Sequence, residues 1–108
     1  MIIINDYWIL NKDKKFIEIS STENLILKYF SIYNVGTAKQ IRDYVHKEMS
    51  VSTIRTSIFR LNHKLKDDFT INNRFKFGYN IPENENIFFI YTVNMNGEKN
   101  ENKKRWNY

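Results

Sequence analysis

One segment constrains the fold more than any other, because its apolar residues recur at helical spacing. They are Ile54, Ile58, Leu61 and Leu65. At 100° per residue they fall within about 60° of helical arc, which is typical of a helix with one buried face. The pattern predicts a helix over residues 53–66, after a break with two N-cap candidates, Ser50 and Ser52. Asp67 and Asp68 are expected to end it.

Two earlier helices are predicted from capping boxes, in which the cap and the third helical residue satisfy each other's backbone N–H. Ser20 precedes Glu23 by three residues, and Thr37 precedes Gln40 by three. The buried positions expected from the spacing are Leu25, Ile26, Tyr29, Phe30 and Tyr33 in the first helix and Ile41, Tyr44 and Val45 in the second. Asn34-Val35-Gly36 is expected to end the first helix, with Gly36 free to take a positive φ.

Short apolar runs on either side of the helices predict strands. Residues 2–4, 7–10 and 16–19 form the N-terminal set, and the last two of these runs flank a polar turn and suggest a hairpin. Residues 69–81 predict a second hairpin with a basic, aromatic tip. An uncharged run at 87–93 is the clearest strand. It must be covered, either by the N-terminal sheet, which we expect, or by another subunit.

The positive charge is concentrated in one part of the chain. The net charge is +5, and residues 50–81 carry six basic and two acidic side chains. A clustered basic surface favours a polyanionic partner, although a solvated basic face has the same composition.

Three short helices followed by a hairpin predict an α+β winged helix-turn-helix. Over residues 7–81 the chain resembles the DNA-binding effector domain of the OmpR/PhoB response-regulator family. The resemblance rests on residues 19–23, on Gln40-Ile41, on the run from Ser52 to Leu65, and on Ile71 and Gly78-Tyr79. We expect one such domain over residues 1–93, comprising strands to 19, helices over 20–66, the wing over 69–81 and the extra strand. Residues 94–108 are expected to form a mobile, polar, basic tail.

The resemblance implies that the third helix enters the major groove and that the hairpin lies on the adjacent backbone or minor groove. Thr53, Arg55 and Arg60 match family positions that face bases or nearby phosphates. Phe75 stands where the family usually has a minor-groove Arg, and Lys76 replaces the glycine at the wing tip. The predicted DNA-contacting set is Ser52, Thr53, Arg55, Thr56, Phe59, Arg60, His63, Lys64, Lys66, Asn73, Arg74, Phe75 and Lys76.

Other classes of function find little support in the sequence. The chain has no Cys, which removes disulfides and thiolate chemistry and is typical of a cytoplasmic protein. No apolar run reaches the roughly 18–20 residues needed to cross a membrane. His46 and His63 lack any further ligand pattern, and no phosphate loop or nucleophile motif occurs. We therefore expect no metal, no cofactor and no enzymatic activity.

The expected function is a sequence-specific regulator of transcription that binds double-stranded DNA, with RNA polymerase, another regulator or a second copy as further partners. Members of the family usually carry a receiver domain, for which 108 residues leave no room. Control is therefore expected from abundance, a partner or oligomerisation. Two alternatives remain open. One is an architectural or recombination accessory protein of the excisionase kind, and the other is a winged-helix module that binds protein.

Overall fold

Three helices occupy the middle of the chain: α1 (Ser21–Ile32), α2 (Ala38–Val45) and α3 (Val51–Leu65). Both predicted capping boxes are confirmed. The hydroxyls of Ser20 and Thr37 accept the N–H of the third helical residue, whose side chain accepts the N–H of the cap. The computed structural model describes residues 2–66, 68–74, 78–82 and 87–89.

The third helix begins two residues earlier than its apolar spacing predicted. Ser50 is the cap, and its Oγ accepts the N–H of Thr53 at 3.1 Å. Ser52, the other candidate, lies inside the first turn. The predicted buried stripe is confirmed, since each of its four residues is at most 2% exposed: Ile54, Ile58, Leu61 and Leu65.

Short strands flank the helices: β1 (Ile2–Ile4), β2 (Trp8–Leu10), β3 (Phe16–Glu18), β4 (Val35–Gly36), β5 (Asn72–Arg74), β6 (Gly78–Asn80) and β7 (Ile87–Phe89). Four of them form one sheet in the order β3-β2-β1-β7. The predicted hairpin is the antiparallel pair of β2 and β3, and β7 lies parallel to β1. The segment at 87 therefore joins the N-terminal sheet of its own chain, as expected, while residues 90–93 of that predicted strand lie outside the described residues.

The other sheet has the order β4-β6-β5 and is antiparallel. The antiparallel pair of β5 and β6 lies within the hairpin predicted for residues 69–81, although its first strand starts at Asn72 and not at Phe69. Phe69 and Ile71 belong instead to the core. Strand β4, between α1 and α2, was not expected, because two residues carry no periodicity. The hairpin tip, residues 75–77, lies outside the described part of the chain.

The expectation for Gly36 was wrong. Its φ is not positive; among the described glycines only Gly78 has a positive φ, of 90°. Gly36 is required for close approach, because a Cβ there would overlap the hydroxyl group of Tyr29. That hydroxyl donates to the carbonyl oxygen of Val35 at 2.9 Å, so α1 and β4 are joined where no side chain can fit.

Two of the expected core tyrosines are exposed. Tyr33 is the extended C-cap of α1 and is 51% exposed, while Tyr44 is 40% exposed. Leu27 and Ala38 are buried instead. The predicted burial of Tyr33 was wrong because α1 ends at Ile32, so helical spacing no longer determines the direction of the Tyr33 side chain.

One core joins the helices to the inner face of the four-stranded sheet. It includes Ile2, Ile4 and Ile9 from the sheet together with the buried stripe of α3. The described architecture is mixed α+β, with three helices and two small sheets, and it is compatible with a winged-helix-like class.

Candidate nucleic-acid interface

The outward face of α3 carries most of the predicted site residues. Because the apolar stripe points into the core, the side chains on the opposite side of α3 point away from it. The exposed members are Ser52, Thr53, Arg55, Thr56, Phe59, Arg60, His63 and Lys66. No acidic residue occurs in Val51–Leu65, so the cations of this face have no opposite charge on their own helix.

Lys64 does not belong to this exposed group. Its Nζ lies 2.6 Å from Oε1 of Glu23, a residue that is only 2% exposed. The pair joins the last turn of α3 to the first turn of α1. The Lys64 side chain is therefore half-buried and engaged with a buried carboxylate.

Arg55 of α3 and Arg74 of β5 line the same shallow depression, to which the start of α2 also contributes. The depression has a volume of about 270 Å³ and is lined by Thr37, Ala38, Arg55, Asn73, Arg74, Gly78 and Tyr79. None of these residues is acidic. Two arginines that line one depression, with no acidic residue among the lining, favour an anionic occupant, since each phosphate neutralised by a cation releases condensed counterions.

A second depression, of about 470 Å³, lies further along α3. It is lined by Phe59, Asn62, His63 and Lys66. The ring of Phe59 is 65% exposed and meets the ring of His63 edge to face, with their centroids 4.8 Å apart. The exposed ring of Phe59 and the cation of Lys66 line the same depression. This combination suits a partner that offers both apolar groups and negative charge, as a DNA groove does.

Asn62 fastens the hairpin segment to α3. Its Nδ2 donates to the carbonyl oxygen of Ile71 at 3.1 Å, and its Oδ1 accepts the N–H of Ile71 at 2.8 Å. No motif in the sequence singles out Asn62. A helical wheel places position 62 at the edge of the apolar stripe, which predicts a half-buried polar side chain but not its partner.

At the start of α3, Thr53 is exposed and already engaged. Its Oγ1 lies 2.8 Å from Oγ of Ser50, so each hydroxyl group has a local partner. Thr53 therefore stabilises the first turn of the helix while remaining at the surface.

Four described cations of the predicted DNA-contacting set are available to an external partner. Arg55, Arg60, Lys66 and Arg74 form no ion pair with another described residue. Asn73 and Arg74 are exposed on β5. The last two predicted contacts, Phe75 and Lys76, lie outside the described residues.

Within the described part of the chain, no group of three or more His, Cys, Asp or Glu residues is arranged to hold a metal ion. The described helices also include none with the length and apolar character needed to cross a membrane. Compared with known proteins, the chain matches no family model, no curated protein and no solved structure.

Proposed function

We propose that this chain is a winged helix-turn-helix protein of the OmpR/PhoB type that binds specific sequences in double-stranded DNA and regulates transcription. In this proposal α3 lies in the major groove and the β5–β6 hairpin lies on the adjacent backbone or minor groove. The observation that carries it is the depression shared by Arg55 and Arg74, which brings cations from the helix and the hairpin to one surface.

The shape of α3 supports a role in the major groove. A helix fits this groove and can present side chains to base edges, where Arg pairs with guanine and apolar groups meet the thymine methyl. Arg60 and Phe59 are adjacent and exposed at the middle of the helix, so we assign them to base contact. Arg55 lies nearer the hairpin and is assigned to a base or a nearby phosphate.

Charge supports the same partner. Neither α3 nor the two strands of the hairpin contain Asp or Glu, although the whole chain has 12 acidic residues. Elements without carboxylates attract phosphates with little local repulsion, although Asp67 and Asp68 follow Lys66 directly. A binding protein of this kind needs no cofactor and no catalytic group.

The salt dependence of duplex binding tests the proposal. If Arg55, Lys66 and Arg74 each contact one phosphate while Arg60 contacts a base, the slope of log affinity against log salt is about −2.7, and a phosphate contact from Lys76 would make it about −3.6. The Lys15→Ala variant removes an exposed cation of the β2–β3 turn and should leave the slope unchanged. Affinity that does not change between low and physiological salt contradicts the proposal.

Recovery of bound fragments from genomic DNA tests the regulatory role. A regulator of transcription is expected to enrich promoter sequences that share one consensus. Enrichment at recombination sites would instead identify the architectural or excisionase-like role, which uses the same surface.

A further inference from the structure

The outer face of the four-stranded sheet carries a row of apolar side chains that spans all four strands, and Glu18, opposite Trp8, lies beside this row on the same face. Side chains alternate between the two faces of a strand. Residues paired in register therefore form a row on the outer face: Phe16 opposite Leu10, Leu10 opposite Ile3, and Ile3 opposite Phe88. We call Phe16, Leu10, Ile3 and Phe88 the apolar row. Trp8 lies beside it, edge to face with Phe16 at 4.6 Å between ring centroids.

The apolar row is open in the described structure. Phe16 is 67% exposed and Phe88 is 50% exposed, while Ile3 and Leu10 are half-buried. The helices pack on the other face of the sheet, where Ile2, Ile4 and Ile9 are buried. A contiguous exposed apolar patch of this kind marks an interaction surface.

The charge of this sheet selects the kind of partner. Among the residues of β1, β2, β3 and β7, Glu18 is the only charged one, and there is no Lys or Arg. Nucleic acid and anionic lipid are therefore poor partners for this face. Two copies of a chain with net charge +5 repel each other over most of their surface. The four strands of this sheet carry no positive charge to add to that repulsion.

We propose that the apolar row is the interface at which two copies of this chain form a symmetric dimer, sheet face against sheet face. A two-fold interface brings the same patch of each copy together, so the patch must complement itself. The row runs aromatic, aliphatic, aliphatic, aromatic, which is the same order of size in both directions. Aromatic ends then meet aromatic ends whether the two-fold axis runs along the strands or across them, and packed sheets lie about 10 Å apart.

This dimer leaves α3 and the β5–β6 hairpin free, since neither contributes to the apolar row. The inference stands apart from the proposed function, because dimer formation needs no DNA. The dimer therefore carries two copies of the proposed DNA-binding surface.

Sedimentation velocity of the full chain tests the proposal. A concentration-dependent dimer is expected, and it should become stronger with added salt, which screens the repulsion between the two positive chains. Phe16→Lys and Phe88→Lys should each raise the dimer dissociation constant about tenfold or more. Ile32→Lys is the matched control, since Ile32 is 60% exposed on α1 and lies outside the sheet.

A pair of double variants tests the face directly. The chain with both Phe16→Lys and Phe88→Lys and the chain with both Phe16→Glu and Phe88→Glu should each be monomeric and folded by circular dichroism. An equimolar mixture should form the heterodimer, because opposite charges then meet at both ends of the row. A parent chain that stays monomeric up to about 1 mM overturns the proposal. So does a dimer that persists in both double variants, or a mixture that forms no heterodimer.

Discussion

The ammonium group of Lys64 lies 2.6 Å from Oε1 of Glu23, and the same oxygen accepts the backbone N–H of Ser20 at 2.7 Å. One carboxylate therefore caps α1 and binds the last turn of α3. Glu23 is 2% exposed, and its Oε2 has no partner among the described residues. The position of α3, and with it the candidate DNA surface, depends on this buried charge being paired.

Removal of Lys64 should destabilise the fold much more than removal of its exposed neighbour. Lys64→Ala leaves the carboxylate of Glu23 buried without a counter-charge, which we expect to cost about 1–3 kcal/mol of unfolding free energy. Lys66→Ala should change it by no more than about 0.5 kcal/mol, because that side chain is exposed. Urea unfolding measures both variants.

A second substitution separates charge burial from lost packing. Gln at position 23 can still serve the capping box but carries no charge. Adding Glu23→Gln to Lys64→Ala should therefore recover part of the lost stability. If the double variant is less stable than Lys64→Ala alone, burial of the unpaired charge is not the cause.

Arg60 and Arg74 should affect DNA binding in different ways. Arg60→Ala should remove about 1–3 kcal/mol of discrimination at one base position, because it is assigned to a base edge. Arg74→Ala should weaken all duplexes alike and reduce the salt slope by about one, as expected for a phosphate contact. Selection of binding sites from random duplexes compares them. An unchanged consensus for Arg60→Ala contradicts the assignment.

Much of this fold could be predicted from local sequence signals. Each capping box predicts the start of a helix from only four consecutive residues. The two boxes are Ser20 with Glu23 and Thr37 with Gln40. The buried stripe of α3 is an equally local signal, because its apolar residues recur with each turn of the helix. Neither signal depends on any distant part of the chain, so both predictions were confirmed.

The features that could not be predicted are contacts between distant segments. Glu23 and Lys64 are 41 positions apart, and each had an ordinary local explanation as a cap and a basic surface residue. Gly36 looked like a helix terminator because sequence gives no sign that the Tyr29 hydroxyl occupies the space beside it. The buried stripe of α3 predicts which side chains of this helix are exposed. That Arg55 and Arg74 line one depression depends on how the hairpin packs, which no local pattern predicts.

Asn62 should act on DNA binding through the position of the hairpin. Asn62→Ala removes both hydrogen bonds to the backbone of Ile71, and we expect a loss of about 1–3 kcal/mol in unfolding stability. Affinity should fall for all sequences while the consensus stays the same, because Arg60 keeps its place. Thr70→Ala is the control, as Thr70 is exposed next to Ile71. Unchanged stability and affinity in Asn62→Ala would mean that the hairpin is held in other ways.

Tyr29 should make the fold sensitive to alkaline pH. Burial, and secondly the nearby Tyr33, raise the pKa of Tyr29 above its ordinary value of 10.0. The neutral hydroxyl donates to Val35, whereas a tyrosinate cannot donate. A pKa that is raised in the folded state contributes stability below the ordinary pKa, and this contribution is lost as the pH rises through the raised value. Ionisation of Tyr29 should therefore destabilise the fold.

Titration followed by tyrosinate absorbance and circular dichroism tests this pH dependence. A late tyrosine ionisation should accompany a loss of helical signal, and Tyr29→Phe should remove that late step. Tyr33→Phe should lower the pKa of Tyr29 but leave it above 10.0, because burial is the larger cause and remains in that variant. If the late ionisation survives in Tyr29→Phe, another tyrosine is responsible. If Tyr33→Phe returns the pKa of Tyr29 to its ordinary value, charge and not burial controls it.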